Sequence, residues 1–354
     1  MNIFKILDEA IAKNASDVHL SSNARPLFRI GGILTPVDNY PLLNKADLSE
    51  AFSLISTTEE REKYLRELEL DFGYTLPDGT RLRCSAAQQR GVLSLAIRIL
   101  PPRIPTIDEL ELPQICKDIV MKLRGLIIIS GPTGSGKTTT MAAMVHHLNK
   151  VATRHIFSIE DPIEYYQPNI DSVITQRELG HDTLSFPQAL KHVLRHDPDV
   201  IMVGEMRDSE TASAVLSVAE TGHLILTTSH APYAPQAIER IIDFFPPAER
   251  YLAQTRLASL MIAVLTQTLV PRADGSGRIA AVEILLGNTA VRSLIRDGKI
   301  YQLYNTMRSY RNIGMITLDE SLVNLYTKRI IDAKTLYSYC NDAEEVEKLL
   351  SHKS

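Results

Sequence analysis

One stretch of the sequence combines residue types and spacing suited to phosphate chemistry. Between Leu126 and Leu148 it reads LIIIS-GPTGSGKT-TTMAAMVHHL, a short apolar run, a glycine-rich turn and then a segment with helical periodicity. The turn fits G-x-x-x-x-G-K-[ST] through Gly131, Gly136, Lys137 and Thr138. Gly131, Gly134 and Gly136 tolerate positive φ, which lets backbone N–H groups close around an oxyanion. The following helix adds the positive end of its dipole. A lysine at position 137 can reach the β- and γ-phosphates, and the Thr138 hydroxyl can ligate Mg²⁺. Thr133, Ser135 and Thr139 complete the expected nucleotide-binding set. Met141, Met144, Val145 and Leu148 recur at i, i+3, i+4 and i+7, so an amphipathic helix follows the turn. These residues predict a nucleotide-binding protein.

The elements around this stretch must bring further groups to it. Strand-like and helix-like runs alternate after the turn, which predicts a parallel sheet and an α/β fold. HIFSIED (155–161), VIMVGE (200–205) and HLILTTSH (223–230) read as strands. FPQALKHVLRHDPD reads as a helix stopped at Asp197-Pro198, and SETASAVLSVAETG as one stopped at Gly222. Ligands of parallel sheets sit beyond the carboxyl ends of the strands. Glu160, Asp161, Glu164, Glu205 and His230 all fall at or just after such ends, on the edge that carries the glycine-rich turn.

Residues 1–100 read as a separate small α+β domain. A helix leads to SDVHL, where Asp17 and His19 alternate with Val18 and Leu20 as on a half-buried strand. PLFRI-GG-ILTPV and LDFGYTL-PDG-TRLRCSA are hairpin signals, separated by a charged helical stretch over roughly 45–69. The return strand of the second hairpin puts Arg81 and Arg83 on one face and Leu82 and Cys84 on the other. VLSLAIRIL alternates as another half-buried strand. Pro101, Pro102, Pro105 and Pro113 then mark a semi-rigid connector over 101–115, the expected domain boundary. Past Pro246 the sequence predicts mostly helix. RYLAQTRLASLMIAVLTQTLV reads as one apolar helix, PRADGSGR as an exposed loop, IAAVEILL as a strand, and TAVRSLIRDGK, TLDESLVNLYTKR and AKTLYSYC as helices.

Composition narrows the class. The 354 residues suffice for two domains, and 44% hydrophobic content is that of an ordinary globular chain. Lys and Arg number 38 against 42 Asp and Glu, so no basic field advertises nucleic acid. No apolar run approaches the length of a transmembrane segment, and the N-terminus MNIFKILDEA carries acids where a signal peptide is apolar, so a cytoplasmic protein is expected. Cys84, Cys116 and Cys340 are far apart and form no C-x-x-C pair, which argues for ordinary thiols rather than a zinc site.

Beyond the glycine-rich turn, a series of motifs resembles those of the type IV pilus retraction ATPases, the PilT family within the type II/IV secretion ATPases. They are SDVHL, GPTGSGKTTT, SIEDPIEYY (158–166), TQRELGHDT (175–183), LRHDPDVIMVGEMRDSET (194–211), AETGH (219–223), the strand-end His230, VRSLIRDGK (291–299) and GMITLDESL (314–322). The resemblance covers nearly the whole chain. It implies a RecA-like P-loop ATPase domain over 116–289, a PAS-like N-terminal domain over 1–100 and a helical C-terminal region over 290–354. It implies ATP and Mg²⁺ as cofactors, with Thr138 and Glu205 on the metal. Glu164 would be the base for the attacking water, and His230 the sensor of the γ-phosphate. Arg81 and Arg83 would be arginine fingers reaching a neighbouring subunit's nucleotide.

The resemblance further implies a homohexameric ring at the inner membrane, working on a pilus platform protein and alongside a partner pilus ATPase. In this family the segment holding Arg292 and Arg296, neighbours at i, i+4 on one helix face, is tied to retraction. The sequence departs from the family pattern at Ser293, where Asn is usual, at Asp297, where Glu is usual, and at TTSHA (227–231), where the family has G-T-L-H-T. Extension motors of the superfamily typically carry a tetracysteine insertion and a longer N-terminal region. Neither occurs here, so retraction is the expected activity. The competing readings are an accessory subunit of such a motor and a DNA or effector translocase of the same superfamily.

Overall fold

The computed structural model describes residues 2–100 and 103–351, so Pro101 and Pro102 of the expected connector lie outside the described residues. The chain divides into two compact units. One holds the residues up to Arg103 together with Pro162–Tyr166, and the other holds Ile104–Asp161 and the residues from Gln167 onward.

The first unit is built on a six-stranded antiparallel sheet. Its strands are β1 (Asp17–Leu20), β2 (Leu27–Ile30), β3 (Ile33–Pro36), β4 (Glu69–Thr75), β5 (Arg81–Gln89) and β6 (Val92–Ile99), in the order β3-β2-β1-β6-β5-β4. Both hairpins turn at the expected residues, Gly31-Gly32 with φ of +58 and +88, and Asp78-Gly79, where the Leu76 N–H donates to the Thr80 carbonyl at 2.9 Å. The expected helix over 45–69 is instead two, Lys45–Ile55 and Thr58–Glu67, and Glu69 already opens β4. The break has a local cause. Thr57 adopts an extended backbone, and its hydroxyl accepts from the Glu60 N–H while the Glu60 carboxylate accepts from the Thr57 N–H, a capping box that begins a new helix. On β5, Leu82 and Cys84 point into the core with Phe28, Leu95 and Ile97, while Arg81 and Arg83 stay on the other face.

The second unit carries a seven-stranded sheet. Its strands are β7 (Gly125–Ser130), β8 (His155–Glu160), β9 (Val173–Glu178), β10 (Val200–Val203), β11 (Leu224–Thr228), β12 (Met261–Pro271) and β13 (Arg278–Leu286). Their order is β13-β12-β7-β11-β10-β8-β9, parallel throughout except for the antiparallel edge β13. The sheet is buried on both faces. Ile127 and Ile129 of β7 pack with Met141, Met144 and Leu148 of the helix Lys137–Val151. Leu126 and Ile128 face the opposite core, with Leu190, Val215 and Leu216. This two-sided burial explains the all-apolar strands.

The same two-sided burial accounts for a correction. The stretch read as one apolar helix is a helix only over Arg250–Leu260, after which the chain becomes β12 between β7 and β13. An inner strand covered on both faces loses its alternation and mimics a buried helix. β9 was not expected at all, because VITQRE is a polar edge strand. The helices Ala234–Asp243, Leu303–Ser309 and Ala343–Ser351 were also not anticipated. The C-terminal helices join β12 and β13 in a further core of Val270, Ile279, Leu318, Leu322, Leu336 and Val346.

No helix among the described residues is long and apolar enough to cross a membrane. Cys84 and Cys116 are buried, and burial pushes each thiol up to about 12; Cys340 is half-buried.

One buried acid makes stability depend on pH. Glu283 on β13 is buried, with its carboxylate accepting from the Ala234 N–H at 2.6 Å, and burial pushes it up to about 7. The folded chain therefore holds this proton to a higher pH than the unfolded chain does. The stabilisation is complete below the unfolded value and is lost as pH rises towards 7. Glu283→Gln should melt within about a degree of the wild type at pH 5 and several degrees above it at pH 8. A difference in melting temperature that does not change with pH would contradict this.

Candidate active site

The phosphate loop leaves β7 at Ser130 and enters the helix at Lys137. Gly131 has φ +138, and a Cβ there would lie 2.4 Å from the Gln267 carbonyl and 2.7 Å from Ser135 Oγ, so only glycine fits. Gly134 and Gly136 also take positive φ, of +77 and +87, and Gly136 is the N-cap of the helix that starts at Lys137. The Lys137 ammonium is folded back over the loop, donating to the Gly131 carbonyl at 2.9 Å and the Pro132 carbonyl at 3.1 Å. Thr133 and Gly134 are exposed at the rim, Ser135 is buried, and Thr138 and Thr139 are half-buried in the first helical turn. The Ser135 carbonyl accepts from the Gln267 side-chain amide at 2.6 Å.

Two of the expected strand-end groups are in contact. His230 Nε2 lies 3.2 Å from Glu205 Oε2, beyond the ends of β11 and β10. Hydrogen bonds to the neighbouring β7 bracket His230 on both sides. The Ser229 N–H donates to the Ile129 carbonyl at 3.0 Å, and the Ser130 hydroxyl donates to the Ala231 carbonyl at 2.7 Å. Ser229 and Ala231 thus hold the histidine through main-chain atoms, which their departure from the family pattern leaves intact. β10 is tied in likewise, through Thr228 Oγ1 donating to the Gly204 carbonyl at 2.6 Å.

Glu205 also forms an ion pair with Arg207, whose other arm lies 3.9 Å from Asp161. Burial acts to raise the Glu205 carboxyl, but the hydrogen bond and charge of Arg207, then those of His230, outweigh it. The carboxyl is held below its usual range and is ionised at neutral pH. Glu160 stands apart in role. It is buried at the end of β8 and accepts from the Ser158 hydroxyl at 2.7 Å and the Gln176 amide at 3.0 Å, linking β8 to β9.

The remaining expected residues lie together in the first unit, because Pro162–Tyr166 belongs to it. Arg83 Nη1 is 3.9 Å from Glu164 Oε1. Arg81 lies across β4, its Nε donating to the Ile163 carbonyl at 3.3 Å and its guanidinium 5.3 Å from the centre of the Tyr166 ring. Gly73 makes room for it, since a Cβ at 73 would fall 2.1 Å from Arg81 Nη2. Arg292 and Arg296 lie four residues apart on the helix Thr289–Arg296, as expected; Arg292 Nε also donates to the Gly287 carbonyl at 2.9 Å, while Arg296 is exposed.

This loop, with an acid and a histidine on the adjoining strand ends, suits nucleotide hydrolysis. The model of the type II/IV secretion system proteins matches residues 1–314. The chain belongs to that family. Among its relatives, the type IV pilus retraction ATPase PilT of Pseudomonas aeruginosa is 38% identical, the match covering 94% of this chain and 96% of that protein. The type IV pilus ATPase PilU of the same bacterium is also 38% identical, over 99% of this chain and 91% of the relative. A crystal structure of the pilus retraction motor PilT with bound ADP superposes with a TM-score of 0.90 at 38% identity, covering 98% of this chain and 99% of the other. The α/β architecture, with its smaller N-terminal unit and helical C-terminal region, is that of these secretion ATPases.

Two participants were not anticipated from the sequence. Arg207 could have been suspected two residues past the strand-end Glu205, within GEMRD. Gln267 carried only a faint signal, a buried amide in an otherwise apolar and hydroxyl-bearing run.

Proposed function

We propose that this secretion-family ATPase is the motor that retracts a type IV pilus by hydrolysing ATP. The observation that carries the reading is the Glu205–His230 pair at 3.2 Å, anchored by hydrogen bonds from the residues flanking His230 to the strand that launches the phosphate loop. Gly131, Thr133, Gly134, Ser135, Gly136, Lys137, Thr138 and Thr139 hold the triphosphate. The Thr138 hydroxyl and Glu205 carboxylate are hard oxygen donors of the kind Mg²⁺ takes when phosphates and water complete its shell. When bound, that ion neutralises charge on the β- and γ-oxygens.

Glu164 orients the attacking water and accepts its proton as the bond between the γ-phosphorus and the bridging oxygen breaks, leaving ADP and phosphate. His230 senses the γ-phosphate from its place beside Glu205. Arg81 and Arg83, both on one face of β5, serve the nucleotide of the next subunit in a hexameric ring. The working parts are then residues 1–100, the connector 101–115, the ATPase domain 116–289 and the helical region 290–354. The ring acts in the cytoplasm, peripheral to the inner membrane at the pilus base, on a platform protein.

Purified chain should hydrolyse Mg-ATP, and Glu164→Ala and Glu205→Ala should each abolish turnover. Cells lacking the chain should be hyperpiliated and unable to twitch; bald cells would overturn retraction. A second reading is an accessory ATPase of the same superfamily, since the chain is as similar to a second type IV pilus ATPase, PilU, as it is to PilT. It predicts a purified chain that binds ATP but turns it over only with a partner ATPase present.

A further inference from the structure

We infer that Gln267 is a positioning residue for the nucleotide, setting the phosphate loop through both its side chain and its main chain. This rests on the nucleotide-binding reading above and concerns a residue 132 positions from its partner in the loop.

The strand register puts Gln267 where it can act. β12 runs parallel to β7, and their last paired residues are Thr266 and Ser130. Gln267 is therefore the next residue along, level with the point where β7 gives way to Gly131. Its carbonyl oxygen closes off the space beside Gly131, 2.4 Å from where a Cβ would be. Its side chain reaches the other end of the loop, where Nε2 donates to the Ser135 carbonyl at 2.6 Å and lies 3.1 Å from the Cβ position of Gly136. A single residue thus meets the loop at 131, 135 and 136.

The consequence follows from peptide geometry. A trans peptide is planar, with its C=O and N–H pointing in opposite directions. Drawing the Ser135 carbonyl towards Gln267 turns the Gly136 N–H the other way, into the cradle that the loop offers to phosphate. Facing a carbonyl, the amide must present its NH₂ group, and this leaves Oε1 buried without a hydrogen-bond partner among the described residues. A buried acceptor left unsatisfied is unfavourable. A leucine or methionine would fill this position without that cost, so the arrangement favours the loop over the core.

The test is nucleotide binding by the full chain, with wild type, Gln267→Met and Gln267→Glu compared in parallel. Melting temperatures without nucleotide establish that each variant is folded. Gln267→Met keeps the length and removes the donor. It should bind ADP and ATP at least tenfold more weakly, by similar factors, because the cradle holds phosphates common to both. Its KM for ATP should rise with kcat within about threefold, the pattern of lost uniform binding.

Gln267→Glu supplies a control that a packing role would not reproduce. Its carboxylate repels the Ser135 carbonyl, whereas the protonated acid donates to it. The ratio of variant to wild-type ADP affinity should therefore recover between pH 8 and pH 5.5. ADP affinity within twofold of wild type in a folded Gln267→Met, or a Gln267→Glu ratio that is flat with pH, overturns the inference. Failure of the wild type itself to bind ADP would instead overturn the nucleotide-binding reading.

Discussion

Lys137→Ala should reduce ATP turnover by about two to three orders of magnitude or more while leaving the chain folded. Removing one donor aimed at developing charge typically has an effect of about 10²–10³-fold, and Lys137 supplies a full cation at the loop. The structure adds a reason why no neighbour replaces it. The ammonium is held by the carbonyls of Gly131 and Pro132, within the loop itself, so its position is defined by the same backbone that cradles phosphate. Lys137→Arg should restore little, since a planar fork does not occupy the site of a compact ammonium. Phosphate release from Mg-ATP measures the loss. Turnover within tenfold of wild type would remove Lys137 from the reaction.

Glu205→Gln should lower turnover by a similar two orders of magnitude and yet leave ATP binding within a few-fold. The substitution keeps the shape of the side chain but removes the charge that Arg207 and His230 both face. Because those neighbours hold the Glu205 carboxyl below its usual range, its contribution is present at neutral pH and fades only as pH falls through that lowered value. The pH profile of the wild type should consequently show no loss from this group between pH 6 and pH 8. Equilibrium binding of a non-hydrolysable ATP analogue, measured beside turnover, separates the two effects. A variant that loses binding and turnover in equal proportion would show that Glu205 holds nucleotide and does no more.

The parts of this architecture that could be read from sequence are those coded locally. The glycines at 131, 134 and 136 signal backbone that other residues adopt poorly, and Lys137 with Thr138 follows at once, so the loop could be recognised within eight residues. β8, β10 and β11 were legible because each is a short apolar run that ends in a polar group. β12 was not, because pairing with β7 on one side and β13 on the other buries it on both faces and erases the alternation. Thr57 is a cap whose signal, a Glu three residues later, was present but lay inside a stretch whose charged residues read as one continuous helix face.

The site divided along the same line. Glu205 and His230 were found as strand ends, but their contact depends on the parallel register of β10 with β11. Arg83 and Glu164 were chosen for separate reasons, and nothing in their spacing indicated that Pro162–Tyr166 would leave the sheet to join the first unit. The bond from Gln267 to Ser135 spans 132 residues and links a side chain to a main-chain oxygen, which leaves no trace in any local pattern.

The two buried thiols have a practical consequence for following the motor at work. Cys84 and Cys116 remain protonated far above neutral pH, one in each compact unit, so alkylating reagents pass them by while the fold holds. Spectroscopic labels placed on introduced surface cysteines would then compete only with Cys340, and a single replacement there would give a background free of reactive sulfur.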